Sequence, residues 1–290
     1  MKYMQTLIIM AVSGVVLAFA GSAVAQTVKP CVVTVVRIQG QARYSEGDNV
    51  WHPLLVGKVL GSGAIIQSAV NSTVDIVLSG DPVLMPQAAS TPDTISYAPD
   101  PNVRGLVSYK PMVQQNVIRL WGNTVLAVDK LTQFNTGVDT ISDTELDLRA
   151  GRIFFNLRPM SHTSQFIIKI PDGVAGIRDP YLGSWGTLDA QGDMAMGGGS
   201  AVESIVFNGK PYTVDIEAGH SFSPSQINLS NANSSNNQVT MPLSQKTQAD
   251  FELTRISLIS LFQSPNGPPN TTLDSINLTR EGWVSTVFGK

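Results

Sequence analysis

Hydrophobic and polar residues alternate along most of this chain, in short runs that Gly, Pro, Asn and Asp separate. A period of two places apolar side chains on one face of a β-strand, so the pattern predicts strands. Many short strands with no helix between them predict an all-β fold, either an antiparallel sandwich or jelly roll, or a solenoid-like stack. The predicted strands cover residues 32–38, 41–44, 64–67, 74–78, 117–121, 124–128, 145–148, 152–157, 165–170, 200–207 and 212–216.

Glycine-bearing segments predict the turns between these strands. The stretch GKVLGSGAIIQSAVNSTVDIVL, at residues 57–78, has three glycines in seven positions. A phosphate-binding loop needs a Lys-Ser/Thr pair after its last glycine, and here Lys58 follows the first one instead. We therefore interpret these glycines as turn residues, and the segments LWGNTVLAV and LRAGRIFF as hairpins around tight turns. The glycines assigned to structural turns are Gly57, Gly63, Gly80, Gly151 and Gly173.

Two segments interrupt the strand pattern and divide the chain. Residues 82–111 are rich in proline, which cannot occupy central strands, so they predict a long surface insertion within a β domain at 26–222. Residues 223–243 are rich in Ser and Asn and predict a linker. Residues 244–290 predict a tail with one short helix at 247–262, where Thr247 and Asp250 have the spacing of a capping box.

The amino end has the three parts of a secretory signal peptide. Lys2 precedes an apolar run at 7–19, and Ala23-Val24-Ala25 precedes Gln26. The run is shorter than the ~20 residues that span a bilayer, so we expect cleavage after Ala25. The alternative is a retained amino-terminal anchor. The cleaved protein is expected in the periplasm, or secreted or held at the cell envelope of a bacterium, with no membrane span.

Composition narrows the classes of partner. Charged residues make up 14% of the chain and the net charge is −3, so nucleic acid is excluded, because its binding requires clustered Lys and Arg. A single cysteine, Cys31, allows no internal disulfide, so burial of apolar surface must stabilise the fold.

Several phrases resemble the FecR-like periplasmic domain family over residues 35–222. Trp51-His52-Pro53-Leu54 and the glycines that follow are similar to the family's opening phrase, and NSTVDIVLSG, VIRLWGNTVLAV, LDLRAGRIFF and FIIKIPDGVAGIRD are similar to its later phrases. The resemblance implies a β-scaffold and suggests a role in envelope signalling. The resemblance does not extend to the anti-sigma and transmembrane segments that the regulators of this family carry. In addition, Asp179-Pro180 follows Arg178, where the family has Gly-Thr.

Catalytic and metal-binding patterns are missing from the sequence. His52, His162 and His220 have no second His or Cys at zinc-type spacing, and Ser184 does not lie in a Gly-x-Ser-x-Gly elbow. Asp143, Glu145 and Asp147 alternate, so a strand places them on one solvated face, too far apart for one calcium ion. We predict a non-enzymatic protein without metal or cofactor.

Two binding functions remain open. The first is a scaffold that binds an envelope protein through the insertion or a strand edge. The alternative is a module that binds a glycan or cell-wall polysaccharide through exposed aromatic rings. We expect the tryptophans to pack in the core or at its rim, with Trp185 the most exposed. The candidate binding residues are Tyr97, Arg104, Tyr109 and Lys110 in the insertion, and Trp185.

Overall fold

The computed structural model describes residues 27–48, 50–82, 116–178, 183–226 and 240–259, which form two β-sheets and one α-helix. Sheet I contains β1 (Lys29–Pro30), β3 (Ala42–Ser45), β4 (His52–Pro53), β6 (Ile65–Ser68), β9 (Val125–Asn135), β10 (Thr140–Ala150), β12 (Gln165–Ile170), β13 (Gly173–Arg178), β16 (Ser200–Phe207) and β17 (Lys210–Glu217). Sheet II contains β2 (Val32–Gln39), β5 (Val59–Leu60), β7 (Thr73–Ser79), β8 (Asn116–Leu120), β11 (Arg152–Leu157), β14 (Ser184–Asp189), β15 (Met194–Gly198), β18 (His220–Phe222) and β19 (Met241–Pro242). A 3-10 turn (Pro224–Gln226) follows β18, and helix α1 (Gln245–Ile259) follows β19.

The hydrophobic core lies between the two sheets. Burial alternates along β12, where Phe166, Ile168 and Ile170 face inward. Ile118 and Phe155 of sheet II belong to the same buried cluster. The predicted all-β fold with a short carboxy-terminal helix is confirmed.

Each of the eleven predicted strands overlaps an observed strand, but among the longer strands β13, β14 and β15 are missing from the predicted set. Their sequences GVAGIR, SWGTLD and MAMGG contain glycines, which weaken a strand pattern. Glycine is required at such positions because the backbone of a neighbouring strand lies too close to leave room for a side chain. A Cβ atom at Gly186 of β14 would overlap the carbonyl oxygen of Ala195 in β15.

The chain passes repeatedly between the two sheets. From β7 onward it lays down two strands in one sheet and then two in the other, with β11 as the exception. Because only β11 separates β10 from β12, those two strands run parallel, with Thr144 opposite Phe166. All other paired strands in the described ranges are antiparallel.

The two predicted hairpins are wrong. The turn in LWGNTVLAV joins β8 of sheet II to β9 of sheet I, and the turn in LRAGRIFF joins β10 of sheet I to β11 of sheet II. Hydrogen bonds join these two turns to each other. The Trp121 N–H donates to the Arg152 carbonyl (3.1 Å), and the Arg152 N–H donates to Thr124 Oγ1 (3.0 Å). A tight glycine turn therefore serves a sheet-to-sheet crossing here.

Helix α1 packs on the outer face of sheet II. Phe251 and Leu258 join a buried cluster with Val77 and Phe154, and the rings of Phe154 and Phe251 meet edge to face at 5.9 Å. The predicted capping residue, Thr247, is wrong. Ser244 caps the helix instead, by accepting a hydrogen bond from the Thr247 N–H (3.1 Å).

Several predicted features lie outside the described residues. They are the signal peptide, most of the insertion, most of the linker and the tail beyond residue 259. Within the described ranges, no helix combines the length and the apolar character that crossing a membrane requires.

Candidate functional site

Both sheets end in very short strands at the amino-terminal end of the sandwich. β4 forms the end of sheet I through its pairing with β3, and β5 forms the end of sheet II through its pairing with β2. An exposed sheet end offers backbone groups to a further strand. We define the amino-terminal surface as Arg43, Tyr44, Val50, Trp51, His52, Leu55, Val56 and Lys58.

Cations hold the aromatic rings of this surface in place. The Arg43 guanidinium carbon lies 4.4 Å from the ring centroid of Trp51, and Lys58 Nζ lies 4.6 Å from that of Tyr44. The rings of Tyr44 and His52, paired across β3 and β4, are 5.4 Å apart. Hydrogen bonding to Tyr44 and to Glu46 raises the pKa of Lys58. Trp51 and His52 are exposed in this arrangement, whereas the Tyr44 ring is half-buried and packs against the core.

Exposed apolar side chains are concentrated at the same place. Leu54 is anchored in the core, whereas the next two residues, Leu55 and Val56, are 68% and 50% exposed. Val50 and Trp51 are 50% and 39% exposed. These four are among ten exposed large apolar side chains in the described ranges, so residues 50–56 are the segment richest in exposed apolar side chains there.

The glycines beside this surface form turns and leave no room for a phosphate-binding loop. Gly57 and Gly63 have φ of +86° and +91°, which favours glycine. Their N–H groups donate to the carbonyls of Val35 and Val128, both at 2.7 Å. Amides already used in this way cannot surround an anion.

The structural reason for glycine differs among the other three predicted turn positions. Gly151 has a positive φ of +76° at its crossing turn. Gly80 lies in a bend without positive φ, and a Cβ there would overlap the side chain of Gln133. Gly173 is the first residue of β13 rather than a turn, and a Cβ there would overlap the Ser204 carbonyl oxygen.

Trp185 is not the most exposed tryptophan, so that prediction is wrong. Helix α1 lies over it, with the Arg255 guanidinium carbon 4.2 Å from the ring centroid. The ring also fills the space beside Gly198, where a Cβ atom would overlap it. Trp51 is exposed instead. The insertion residues Tyr97, Arg104, Tyr109 and Lys110 lie outside the described residues.

The residues considered for chemistry are scattered. Ser184 is buried and donates to the Arg178 carbonyl (2.7 Å), so its hydroxyl is not presented as a nucleophile. His52 contacts Tyr44, and His220 Nδ1 lies 3.3 Å from the Ala218 carbonyl oxygen. In the part of the chain that the structure describes, no three His, Cys, Asp or Glu side chains could hold a metal ion.

The three alternating carboxylates of β10 lie on its outer face, with Thr144, Leu146 and Leu148 buried on the other. Each carboxylate pairs with a cation, so the face is an array of surface ion pairs. The pairs are Asp143 with Lys130, Glu145 with Lys169 (2.8 Å) and Asp147 with Arg149 (2.7 Å).

A buried acid was not predicted from the sequence. Glu203 faces the core between Ala201 and Ile205, and neither carboxylate oxygen has a hydrogen-bond partner. Burial, together with the charges of Asp189 and Asp193, raises the pKa of Glu203 to about 9. Burial also raises the pKa of Asp189 to about 6. Because Glu203 has no exposed surface, it cannot touch a substrate in this structure.

Comparison of this chain with protein-family models, with curated protein sequences and with solved structures finds no match. The geometry of the amino-terminal surface is therefore the main guide to function.

Proposed function

We propose that this chain is a non-catalytic β-scaffold, exported to a bacterial cell envelope, that binds another envelope protein through its amino-terminal surface. The observation that carries the proposal is the run of exposed apolar side chains at Val50, Trp51, Leu55 and Val56, in the segment that forms the end of sheet I and leads to the end of sheet II. Tryptophan and arginine are the residues that most often dominate binding energy in protein interfaces. Trp51 and Arg43 are stacked on each other and available as such a pair.

The neighbours of Trp51 favour a protein over a glycan. Sugar recognition combines ring stacking with hydrogen bonds to hydroxyl groups, whereas Leu55 and Val56 carry no polar side-chain atoms. The Arg43 guanidinium covers one face of the Trp51 ring, which leaves a single face for stacking. Lys58 is already paired with Glu46 (2.9 Å). An apolar segment of a partner protein, with an acidic residue to meet Arg43, complements this surface best.

The envelope location rests on the predicted signal peptide and on the FecR-like resemblance. That resemblance also suggests a role in signalling. The protein recovered from envelope fractions is expected to begin at Gln26, and mass spectrometry of its amino terminus measures this. Recovery of a protein that still begins at Met1 would contradict cleavage and would favour the alternative, a retained amino-terminal anchor.

The docking proposal is tested by quantitative pull-down from envelope extract. The bait is the mature chain, compared with a Trp51→Ser/Leu55→Ser variant. Both side chains are exposed, so the variant is expected to fold, and circular dichroism checks this. We expect at least one envelope protein to be captured by the wild type and depleted about tenfold or more with the variant, since an interface anchor contributes roughly 2 kcal/mol.

The matched control is Val138→Ser. Val138 is 98% exposed at the turn between β9 and β10, away from the amino-terminal surface. The captured protein should be retained by this variant. If the double variant captures every protein that the wild type captures, docking through the amino-terminal surface is wrong.

A further inference from the structure

A polar cleft of about 320 Å³ opens between the two sheets, and it shares no residue with the amino-terminal surface. Sheet I contributes residues of β9 and β10, and sheet II contributes residues of β7 and β8. Leu78 and Leu131 form part of the floor, next to Cys31. This volume is at the lower end for small-molecule sites, so it fits one small ligand.

The inward face of β10 changes character where it reaches the cleft. Leu148 and Leu146 belong to the core, whereas Thr144, Ser142 and Thr140 continue the same face and line the cleft. Gln133 lies opposite Ser142 on β9 and also lines it. A sandwich interior normally uses apolar residues at such positions, so this row of hydroxyl groups suits a ligand rich in hydroxyls.

The cleft also has a cation, Arg158, that pairs with no carboxylate of the described residues. Arg158, which follows β11, lines the cleft and forms no salt bridge within the described ranges, whereas Lys29 is paired with Asp81 (2.6 Å) at the rim. The Arg158 N–H donates to Asn116 Oδ1 (3.1 Å), which fixes the backbone at the mouth of the cleft. A guanidinium in this position is a donor suited to a carboxylate.

From this combination we infer that the cleft is a binding site for a small hydroxylated carboxylic acid of the sugar-acid type. The carboxylate meets Arg158, and the hydroxyl groups meet Thr140, Ser142, Thr144 and Gln133. The inference goes beyond the protein-docking function and does not depend on it, because the two surfaces have no residue in common.

The binding test uses D-glucuronate as the probe, with D-glucose and acetate as matched comparisons. Glucose keeps all of the hydroxyl groups of glucuronate and has a hydroxymethyl group in place of the carboxylate, whereas acetate keeps the carboxylate without the hydroxyl groups. Titration calorimetry on the mature chain should show saturable glucuronate binding. Glucose lacks the carboxylate that would meet Arg158, and acetate lacks the hydroxyl groups that would meet the polar row of β10, so each should bind about tenfold more weakly or worse. Absence of saturable glucuronate binding, or equal binding of acetate, overturns the inference.

Two variants locate the site. Arg158→Gln should abolish the preference for glucuronate over glucose. Thr144→Val, which has a side chain of similar shape without the hydroxyl group, should weaken the binding of both glucuronate and glucose. Arg149→Gln is the control, since Arg149 lies on the outer face of β10 and pairs with Asp147. Unchanged preference in Arg158→Gln, with Arg149→Gln also unchanged, would place the ligand elsewhere and overturn the assignment.

Cys31 supplies an independent readout. It is the chain's only cysteine, lies in the cleft wall and is 6% exposed. Burial raises the pKa of its thiol, against the opposing charges of Lys29 and Arg158, so alkylation is measured at about pH 9. Glucuronate at a concentration near its wild-type Kd should slow alkylation of the wild type and should slow alkylation of Arg158→Gln much less. Equal rates with and without glucuronate in the wild type contradict binding in this cleft.

Discussion

Arg119 of β8 and Asp75 of β7 form an ion pair in the layer buried between sheet II and helix α1, with 2.7 Å between Arg119 Nε and Asp75 Oδ1. Arg37 pairs with the same carboxylate at 2.6 Å, and Arg119 Nη2 donates to Ser257 Oγ of the helix (3.3 Å). Burial acts to raise the pKa of Asp75, but the two arginines outweigh it and hold the pKa below its ordinary value. The ion pair therefore links the helix to the sheet.

Replacing Asp75 by Asn should destabilise the protein strongly. The substitution leaves Arg119 buried without its counter-charge, which costs about 3–5 kcal/mol. Urea unfolding at pH 7 measures the loss. Because the folded pKa of Asp75 is depressed, its stabilising contribution is full above the unfolded pKa and is lost as the pH falls through the folded value. The wild type should therefore lose more stability on acidification than the variant.

Asp147→Asn is the matched control. Asp147 pairs with Arg149 on the solvated face of β10, where an ion pair contributes about 1 kcal/mol or less. Equal losses in the two variants would mean that the buried pair has no special weight in stability.

Glu203 has the opposite pH dependence. Its folded pKa is raised to about 9, so the folded state keeps a proton that the unfolded state loses in mild acid. The contribution of Glu203 is present below the unfolded pKa and is lost as the pH rises through 9. Glu203→Gln should raise the Tm at pH 8 by about 3 °C or more, since 1 kcal/mol shifts Tm by roughly 2–4 °C in a domain of this size.

The same variant should flatten the fall in stability between pH 6 and pH 9. Glu217→Gln, on the exposed side of the neighbouring β17, is the control and should leave the slope unchanged. A wild-type Tm that stays constant over this interval would show that Glu203 titrates normally.

Three glycines test backbone strain separately from steric overlap. Gly57 has φ of +86° with open space where a Cβ would lie, so Gly57→Ala should cost about 1 kcal/mol from conformation alone. Gly151 combines positive φ with a Cβ position 2.5 Å from Thr124 Cα, so Gly151→Ala should cost about 3 kcal/mol or more.

Gly61→Ala is the control, because Gly61 has no positive φ and no neighbour within 4 Å of the methyl group that alanine would add. Its unfolding free energy should change by less than about 0.5 kcal/mol. Equal costs at Gly57 and Gly61 would show that the turn conformation is not what requires glycine.

The sequence predicted strands well and their partners poorly. Period two is a local signal, and it located β12 residue for residue. Whether a turn closes a hairpin or crosses between sheets depends on what lies beside it. The turns at Thr124 and Gly151 became crossings because they bond to each other, 28 residues apart for Thr124 and Arg152.

The candidate site was partly readable from sequence. In residues 50–56 apolar side chains occupy adjacent positions, a break in period two that leaves Leu55 and Val56 outside once Leu54 is buried. Glu203 sits at an apolar position of an alternating strand, and that conflict could have revealed it. The partial burial of Trp185 could not be predicted, because it depends on where helix α1 docks.

The insertion at 82–111 should be dispensable for folding. It joins β7 to β8, which are adjacent antiparallel strands with Leu78 opposite Asn116, so a short turn can replace it. Replacing residues 82–110 by a short Gly/Ser linker should leave the Tm within a few degrees, because closure free energy depends only weakly on loop length. A loss of cooperative unfolding in the shortened chain would show that the insertion is part of the fold.

The shortened chain also tests whether the insertion recognises partners, as its Tyr97, Arg104, Tyr109 and Lys110 suggest. We expect the folded, shortened bait to lose at least one envelope protein that the full mature chain captures. A protein lost with both the shortened chain and the Trp51→Ser/Leu55→Ser variant contacts both regions, and one lost only with the shortened chain depends on the insertion alone. If the shortened chain is folded and still captures every partner, the insertion plays no part in recognition, and the amino-terminal surface accounts for binding by itself.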